Sequence, residues 1–210
     1  MGEAAPRSQN ITWQKGRVSR AEREALHGHR GVALWLTGLP GAGKSTLAHA
    51  LEDALTRRGV SAYVLDGDNV RHGLSRDLGF SPAERSENLR RIAEVAKLFV
   101  DAGVVVVCAF VSPARADRER VRAALAPGDF VEAHVRASLE TCRERDPKGL
   151  YGKAASGEIG DLTGVGAPYE PPEQPELVLD TEQRSPGDNV ALAVELLTER
   201  GYIAARERRS

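Results

Sequence analysis

Apolar positions along this chain gather in short runs, and longer amphipathic stretches separate the runs. VALWLT (32–37), SAYVL (61–65), VVVVCAFV (104–111), FVEAHV (130–135) and ELVLD (176–180) have strand length and are rich in β-branched residues. The stretches between them read as helices. The first is predicted from the glycine-rich loop after residue 37 to Arg58, with Gly59 placed to end it. The second opens at SPAE, where Ser81 can cap, Pro82 suits the first turn and Glu84 completes a capping box; it ends before Gly103. SPARADRERVRAAL (112–125) and SPGDNVALAVELLTERG (185–201) begin in the same way, so Ser112 also reads as an N-cap. Nearly all-apolar strands alternating with helices predict an α/β fold: three layers, with a mostly parallel five-stranded sheet covered on both faces. Such sheets bind ligands beyond the carboxyl ends of their strands, which directs attention to the residues after each strand.

Two segments fall outside the alternation. Residues 1–30 are polar and read as an N-terminal arm, with SRAEREAL a short helix capped by Ser19 and Glu22. Residues 147–175 carry so many Gly and Pro residues that a long regular element is not expected. A connection of that length inside a compact domain reads as a lid, with a disordered excursion as the alternative; Leu150, Tyr151, Ile159, Leu162 and Tyr169 give it something to pack. The body of the domain is then 31–210.

Composition narrows the classes of function. With 210 residues, 41% of them hydrophobic, the chain can bury one substantial core. A net charge of −1 argues against binding nucleic acid through bulk charge, so any phosphate recognition must be local. The N-terminal stretch lacks an apolar signal segment and no apolar run is long enough to span a bilayer, so the expectation is a cytoplasmic protein without membrane contact. Cys108 and Cys142 are too few for a disulfide framework or zinc site and read as reduced, buried thiols.

Chemistry enters with GLPGAGKST (38–46). It matches G-x-x-x-x-G-K-[ST] from Gly38 to Ser45 and joins a strand to a helix, the context that such a phosphate loop requires. Backbone N–H groups around Gly41, Ala42, Gly43 and Lys44 can wrap nucleotide phosphates, and the helix N-terminus adds partial positive charge. Lys44 would reach the β and γ phosphates of ATP, Ser45 would offer a hydroxyl to Mg²⁺, and Thr46 would lie near the α phosphate. The loop alone leaves a kinase, a nucleotide-dependent switch and a mechanical ATPase open. The next strand ends in LDGDNVRHGL, which sets Asp66 at the strand end and Asp68 two residues on. A kinase needs one carboxylate near the metal and a group that orients or deprotonates the acceptor hydroxyl, and the third strand ends without an acidic residue. The chain also lacks an Asn-Lys-x-Asp guanine-reading segment, which counts against a GTPase switch.

GLPGAGKST, LDGDNVRHGL, LGFSPAERSENLRRIAEVAKLF, CAFVSPARADRERVR, RDPKGLY and PYEPPEQPELVLDT, in this order from about Asn10 to Tyr202, resemble the adenylylsulfate kinase family. The resemblance implies a P-loop kinase fold and transfer of the ATP γ-phosphate to the 3′-hydroxyl of adenosine 5′-phosphosulfate (APS). It implies that Asp68, Asn69 and Arg71 face APS, that Phe80 stacks on its adenine, and that Arg85 and Asn88 meet its sulfate or phosphate end and its sugar. Arg85 and Asn88 are three apart near a helix start, so they share one face. Val111 and Ser112 would line the same site, Lys148 would approach the substrates from the lid, and Arg145 would lie close to the ATP adenine. Relatives also imply a homodimer. For Ser112 a cap with substrate contact stands beside a covalent role, and no histidine accompanies it to act as a base. Where the family commonly has an aromatic residue, this chain has Leu162, so a clamp on the adenine would be Phe80 facing an aliphatic side chain. TGVGAPYE is more glycine-rich than the family form, which implies a more mobile lid.

Overall fold

The computed structural model describes residues 8, 10–12 and 14–205. Strands β1 (Val32–Thr37), β2 (Ala62–Asp66), β3 (Val105–Ala109), β4 (Phe130–Arg136) and β5 (Leu177–Asp180) form one sheet in the order β2-β3-β1-β4-β5. Every pairing is parallel. The helices are α1 (Arg20–His27), α2 (Lys44–Thr56), α3 (Pro82–Asp101), α4 (Arg115–Ala124), α5 (Leu139–Arg145), α6 (Leu150–Ala155) and α7 (Pro186–Glu199).

The period of two along β1 divides its side chains between two cores. Val32, Leu34 and Leu36 pack with Leu47, Leu51 and Leu55 of α2 and with Ala193, Val194 and Leu197 of α7. Ala33 and Trp35 pack on the other face with Leu89, Ile92 and Ala96 of α3 and Val121 of α4. All six β1 positions are buried, as a central parallel strand requires. The P-loop that follows β1 is thereby anchored at the middle of the sheet.

Capping follows the sequence at three helices. Ser19 with Glu22 and Ser81 with Glu84 form complete capping boxes, and Ser185 accepts from the Asp188 N–H. At α4 the expectation fails. Ser112 is not its N-cap: the residue has φ +39 and is followed by two non-helical residues, so α4 starts at Arg115 behind Ala114, which has no capping side chain. The Arg115 N–H instead donates to Glu170 Oε2 of the lid at 2.7 Å.

The lid is more ordered locally than its composition suggests, containing α6 and a tight turn. The carbonyl of Leu162 accepts the N–H groups of Val165, Gly166 and Ala167 at 3.0, 3.0 and 3.2 Å. At Gly166 an added Cβ would come within 2.0 Å of the Gly160 carbonyl oxygen, so this glycine permits a backbone contact. That contact supplies a packing reason for the glycine content read above as mobility.

Helix α1 docks on the domain. Arg20 donates to both Asp129 oxygens at 2.5 and 2.8 Å, and Arg23 reaches Asp101. The rest of the expected arm at 1–7, 9 and 13 lies outside the described residues. Among the described residues no helix is long and apolar enough to cross a membrane. Cys108 and Cys142 are buried free thiols, and burial pushes both pKa values up.

Candidate active site

Residues 38–43 carry the chain from β1 to the first turn of α2. Gly43 has φ +99, and at Gly41, φ +80, an added Cβ would stand 2.9 Å from the Cys142 carbonyl oxygen. Only glycine satisfies both positions without strain, and between them the Ala42 N–H donates back to the Leu39 carbonyl at 3.1 Å. Lys44 is folded into this turn, donating to the carbonyls of Gly38 at 2.9 Å and Leu39 at 2.8 Å. Burial pushes its amine down to about 8. Ala42 is buried, while Thr46 stands exposed on the first turn of α2.

Parallel pairing brings the end of β2 to the same edge. Asp66, its last residue, is buried and accepts from the Ser45 hydroxyl at 2.6 Å through Oδ2; its Oδ1 accepts the Asp68 N–H at 2.9 Å. A continuous path therefore runs from the phosphate loop through Asp66 to Asp68. Asp68 and Asn69 are exposed, and Lys148 of the lid pairs with Asp68 Oδ2.

Beyond a 3₁₀ turn at Asn69–His72 the chain returns to α3. Arg71 donates to the carbonyls of Leu78 at 3.0 Å and Gly79 at 2.9 Å, and its guanidinium lies 4.3 Å from the centre of the Phe80 ring. Burial lowers its pKa from the usual arginine value. Phe80 is 64% exposed, so it is not a core residue. Arg85 donates to the Phe80 carbonyl at 2.7 Å, to Thr163 Oγ1 at 2.8 Å and to the Asp161 carbonyl at 2.9 Å, tying the lid to α3. Asn88 is 4% exposed and its buried Oδ1 has no protein partner. A buried amide oxygen left over in this way calls for a donor from elsewhere. Leu162 is also buried, within the α2–α7 core alongside Tyr151, Leu150 and Ile159. Its surface in this structure goes to packing of the lid rather than to a wall facing Phe80.

After β3 the Ser112 hydroxyl is buried, accepting from Trp35 Nε1 at 3.1 Å and donating to the Phe110 carbonyl at 3.4 Å. Neither partner is a base. The Val111 carbonyl accepts from Thr37 Oγ1 at 2.8 Å. On the other side of the P-loop, Arg145 donates to Thr181 Oγ1 at 2.9 Å, and that hydroxyl donates to the Ala42 carbonyl at 2.9 Å. An open depression of about 470 Å³ is lined by Val165, Ala167, Pro168, Tyr169 and Pro171 of the lid and by Leu39 of the P-loop.

Several residues that build this region were not among the sequence-based site residues, although Tyr151 reads from the sequence as lid packing. Thr37 and Thr181 brace the P-loop region, and Tyr151 donates from the lid to the Pro40 carbonyl at 2.9 Å. Arg118 is 2% exposed, pairs with Glu132 at 2.7 Å and holds the loop after β3. Aromatic residues in a Gly/Pro-rich lid are a visible signal for Tyr151; nothing local marks Arg118.

The sequence model of the family described as adenylylsulphate kinase matches residues 30–180. Two curated relatives named adenylyl-sulfate kinase are 54% identical over 94% of this chain and 96% of the relative (Acaryochloris marina) and 56% identical over 93% and 99% (Shewanella amazonensis). Among solved structures, the Mycobacterium tuberculosis APS kinase in complex with AMPPNP and APS aligns with a TM-score of 0.77 at 45% identity, over 80% of this chain and 98% of that one. A sugar kinase from Janibacter aligns with a TM-score of 0.55 at 20% identity over 84% of this chain and 99% of its own, a likeness of fold alone.

Proposed function

The chain belongs to the adenylylsulfate kinase family, and we propose that the cleft between its P-loop, its acidic turn and its lid is where that family's reaction takes place. The activity is ATP-dependent phosphorylation of APS at the 3′-hydroxyl, giving 3′-phosphoadenosine 5′-phosphosulfate and ADP. The observation that carries the assignment of residues is the hydrogen-bonded path Ser45–Asp66–Asp68, which couples the phosphate loop to the acceptor side.

In this reading the N–H groups of residues 43–46 hold the ATP phosphates and Lys44 neutralises charge on the β and γ phosphates. Arg145, beside Thr181 on the outer side of the loop, contacts the adenine of ATP. A hydroxyl and a carboxylate oxygen 2.6 Å apart are hard oxygen donors of the kind Mg²⁺ takes, with phosphates and water completing its shell. Ser45 and Asp66 would hold the ion, which supplies charge neutralisation at the phosphates.

Asp66 is buried and turned toward Ser45 and the Asp68 N–H, whereas Asp68 is exposed, so Asp68 is the carboxylate that orients the 3′-hydroxyl or takes its proton. Lys148 beside it meets the same end of the acceptor. Phe80, exposed and backed by Arg71, stacks on the APS adenine, with Asn69 beside it. Arg85 and Asn88 take the anionic and sugar parts, a role the unpartnered Asn88 oxygen supports. Val111 and Ser112 line the acceptor site. Transfer is direct and in line, because the Ser112 hydroxyl has Trp35 and a carbonyl as neighbours and no base to activate it.

The same proposal includes a homodimer and a cytoplasmic setting. Exposed Leu26, Tyr63 and Leu98 on α1, β2 and α3 support the first, two unpaired cysteines the second. Sedimentation analysis reads the oligomer directly, and a monomer at micromolar concentration removes that part.

Incubation with ATP, Mg²⁺ and APS tests the function. The expected product is the 3′-phosphorylated nucleotide with one ADP per turnover. Turnover only with a different hydroxylated acceptor, or nucleotide binding without transfer, would refute the assignment.

A further inference from the structure

The end of the lid holds the loop that follows β3 at Pro113, the start of α4 at Arg115, and Thr37 at the end of β1. The Glu170 carboxylate accepts the Arg115 N–H at 2.7 Å, at a helix start whose own N-cap residue, Ala114, offers no side-chain oxygen. The Glu170 N–H donates to the Pro113 carbonyl at 2.9 Å. The neighbouring Tyr169 hydroxyl lies 3.1 Å from Thr37 Oγ1, and that hydroxyl donates its single proton to the Val111 carbonyl at 2.8 Å. Tyr169 is therefore the donor in its pair.

Arg118 closes the arrangement from beneath. Its guanidinium donates to the Ser112 carbonyl at 2.7 Å, to the Pro113 carbonyl at 3.3 Å and to the Glu170 carbonyl at 2.7 Å, while Glu132 accepts from its Nε at 2.7 Å. One buried cation thus holds lid and loop together. Between these ties sits Ser112 at φ +39, a backbone conformation that costs a non-glycine residue energy and persists only where its surroundings impose it.

We infer that Tyr169 and Glu170 form a clasp, with Arg118 and Thr37 as its positioning residues, that sets the conformation of the Val111–Ser112 loop and so couples lid position to the acceptor side of the site. The inference rests on the function proposed above only for what that loop touches. A carboxylate from one segment capping a helix in another is favourable when docked and lost when the segments separate, since the capping contact and its interaction with the helix dipole both require contact within the first turn. Lid opening therefore releases the α4 start, and the loop before it, together.

The test uses the full chain carrying Tyr169→Phe or Glu170→Ala, which remove the hydroxyl and the capping carboxylate and leave the P-loop untouched. Amide hydrogen exchange reads the clasp without the reaction: exchange across 111–115 is expected to quicken in Tyr169→Phe and Glu170→Ala while that of α2 stays as in the parent. Kinetics read its consequence. KM for APS is expected to rise about fivefold, the scale of one lost cap or hydrogen bond, with the Kd for AMPPNP unchanged. Unaltered exchange at 111–115, or equal weakening of APS and AMPPNP, overturns the clasp. Absence of APS turnover by the parent protein would strike the proposed function instead, and the exchange result would still decide the clasp.

Discussion

Lys44 carries its charge on a residue only 9% exposed. Burial lowers its pKa from 10.5 to about 8, although two carbonyls accept its protons. Between those two values the unfolded chain binds more protons than the folded one, so the contribution of this group to stability rises as pH increases through that window. Nucleotide phosphates act in the opposite direction, favouring the charged amine. Binding of AMPPNP should therefore take up a proton above about pH 8, and its affinity should fall about tenfold per pH unit from there. Calorimetry in buffers of different ionisation enthalpy checks this; an affinity flat above pH 8 would mean Lys44 does not meet the phosphates. For Asp68→Asn a loss of kcat of about 100-fold or more is expected with nucleotide binding retained, because proton transfer or orientation contributes on that scale. A small effect would move the role to Asp66. Ser112→Ala should keep substantial turnover, and abolished activity would revive a covalent role. At this scale the P-loop and the Asp66–Asp68 turn were legible, since spacing along the chain sets their geometry. The free oxygen of Asn88 and the bridging of Arg118 were not, because each depends on segments remote in sequence.

Helices α2, α3 and α7 could be placed from local signals because their caps and stops lie within them. Ser81 with Glu84 does more than start α3: Glu84 Oε1 also accepts the Gly79 N–H at 2.9 Å, which fixes the turn carrying Phe80. The start of α4 was misread because its cap comes from the lid, 55 positions from Arg115. Helices α5 and α6 are too short, and too close to Gly and Pro, for periodicity to reveal them. The lid turn itself supplies a test. Gly166→Ala would set a methyl against the Gly160 carbonyl, with backbone on both sides and little room to yield. A local destabilisation of about 1–3 kcal/mol is expected, seen as faster proteolysis within 158–168 and a higher KM for APS. Unchanged proteolysis would show that the turn adapts.

Across the whole molecule, near-neutral net charge and local phosphate recognition are reconciled by placement. Lys44, Arg71, Arg85, Arg145 and Lys148 come from separate elements, while cations on the surface such as Arg57 and Arg91 are paired with Asp53 and Asp77. Alternating strands and helices gave the three-layer class from pattern alone; the strand order β2-β3-β1-β4-β5, which brings the ends of β1, β2 and β3 to one edge, needed the structure. In the proposed reaction the phosphate loop and the acidic turn are two walls of one site. A crystal structure of this protein with AMPPNP, Mg²⁺ and APS tests it most directly. The expected result has the APS 3′-oxygen within hydrogen-bonding distance of Asp68 and in line with the γ-phosphorus, the metal touching Ser45 and Asp66. APS bound elsewhere, or Asp68 turned away from its ribose, would contradict it.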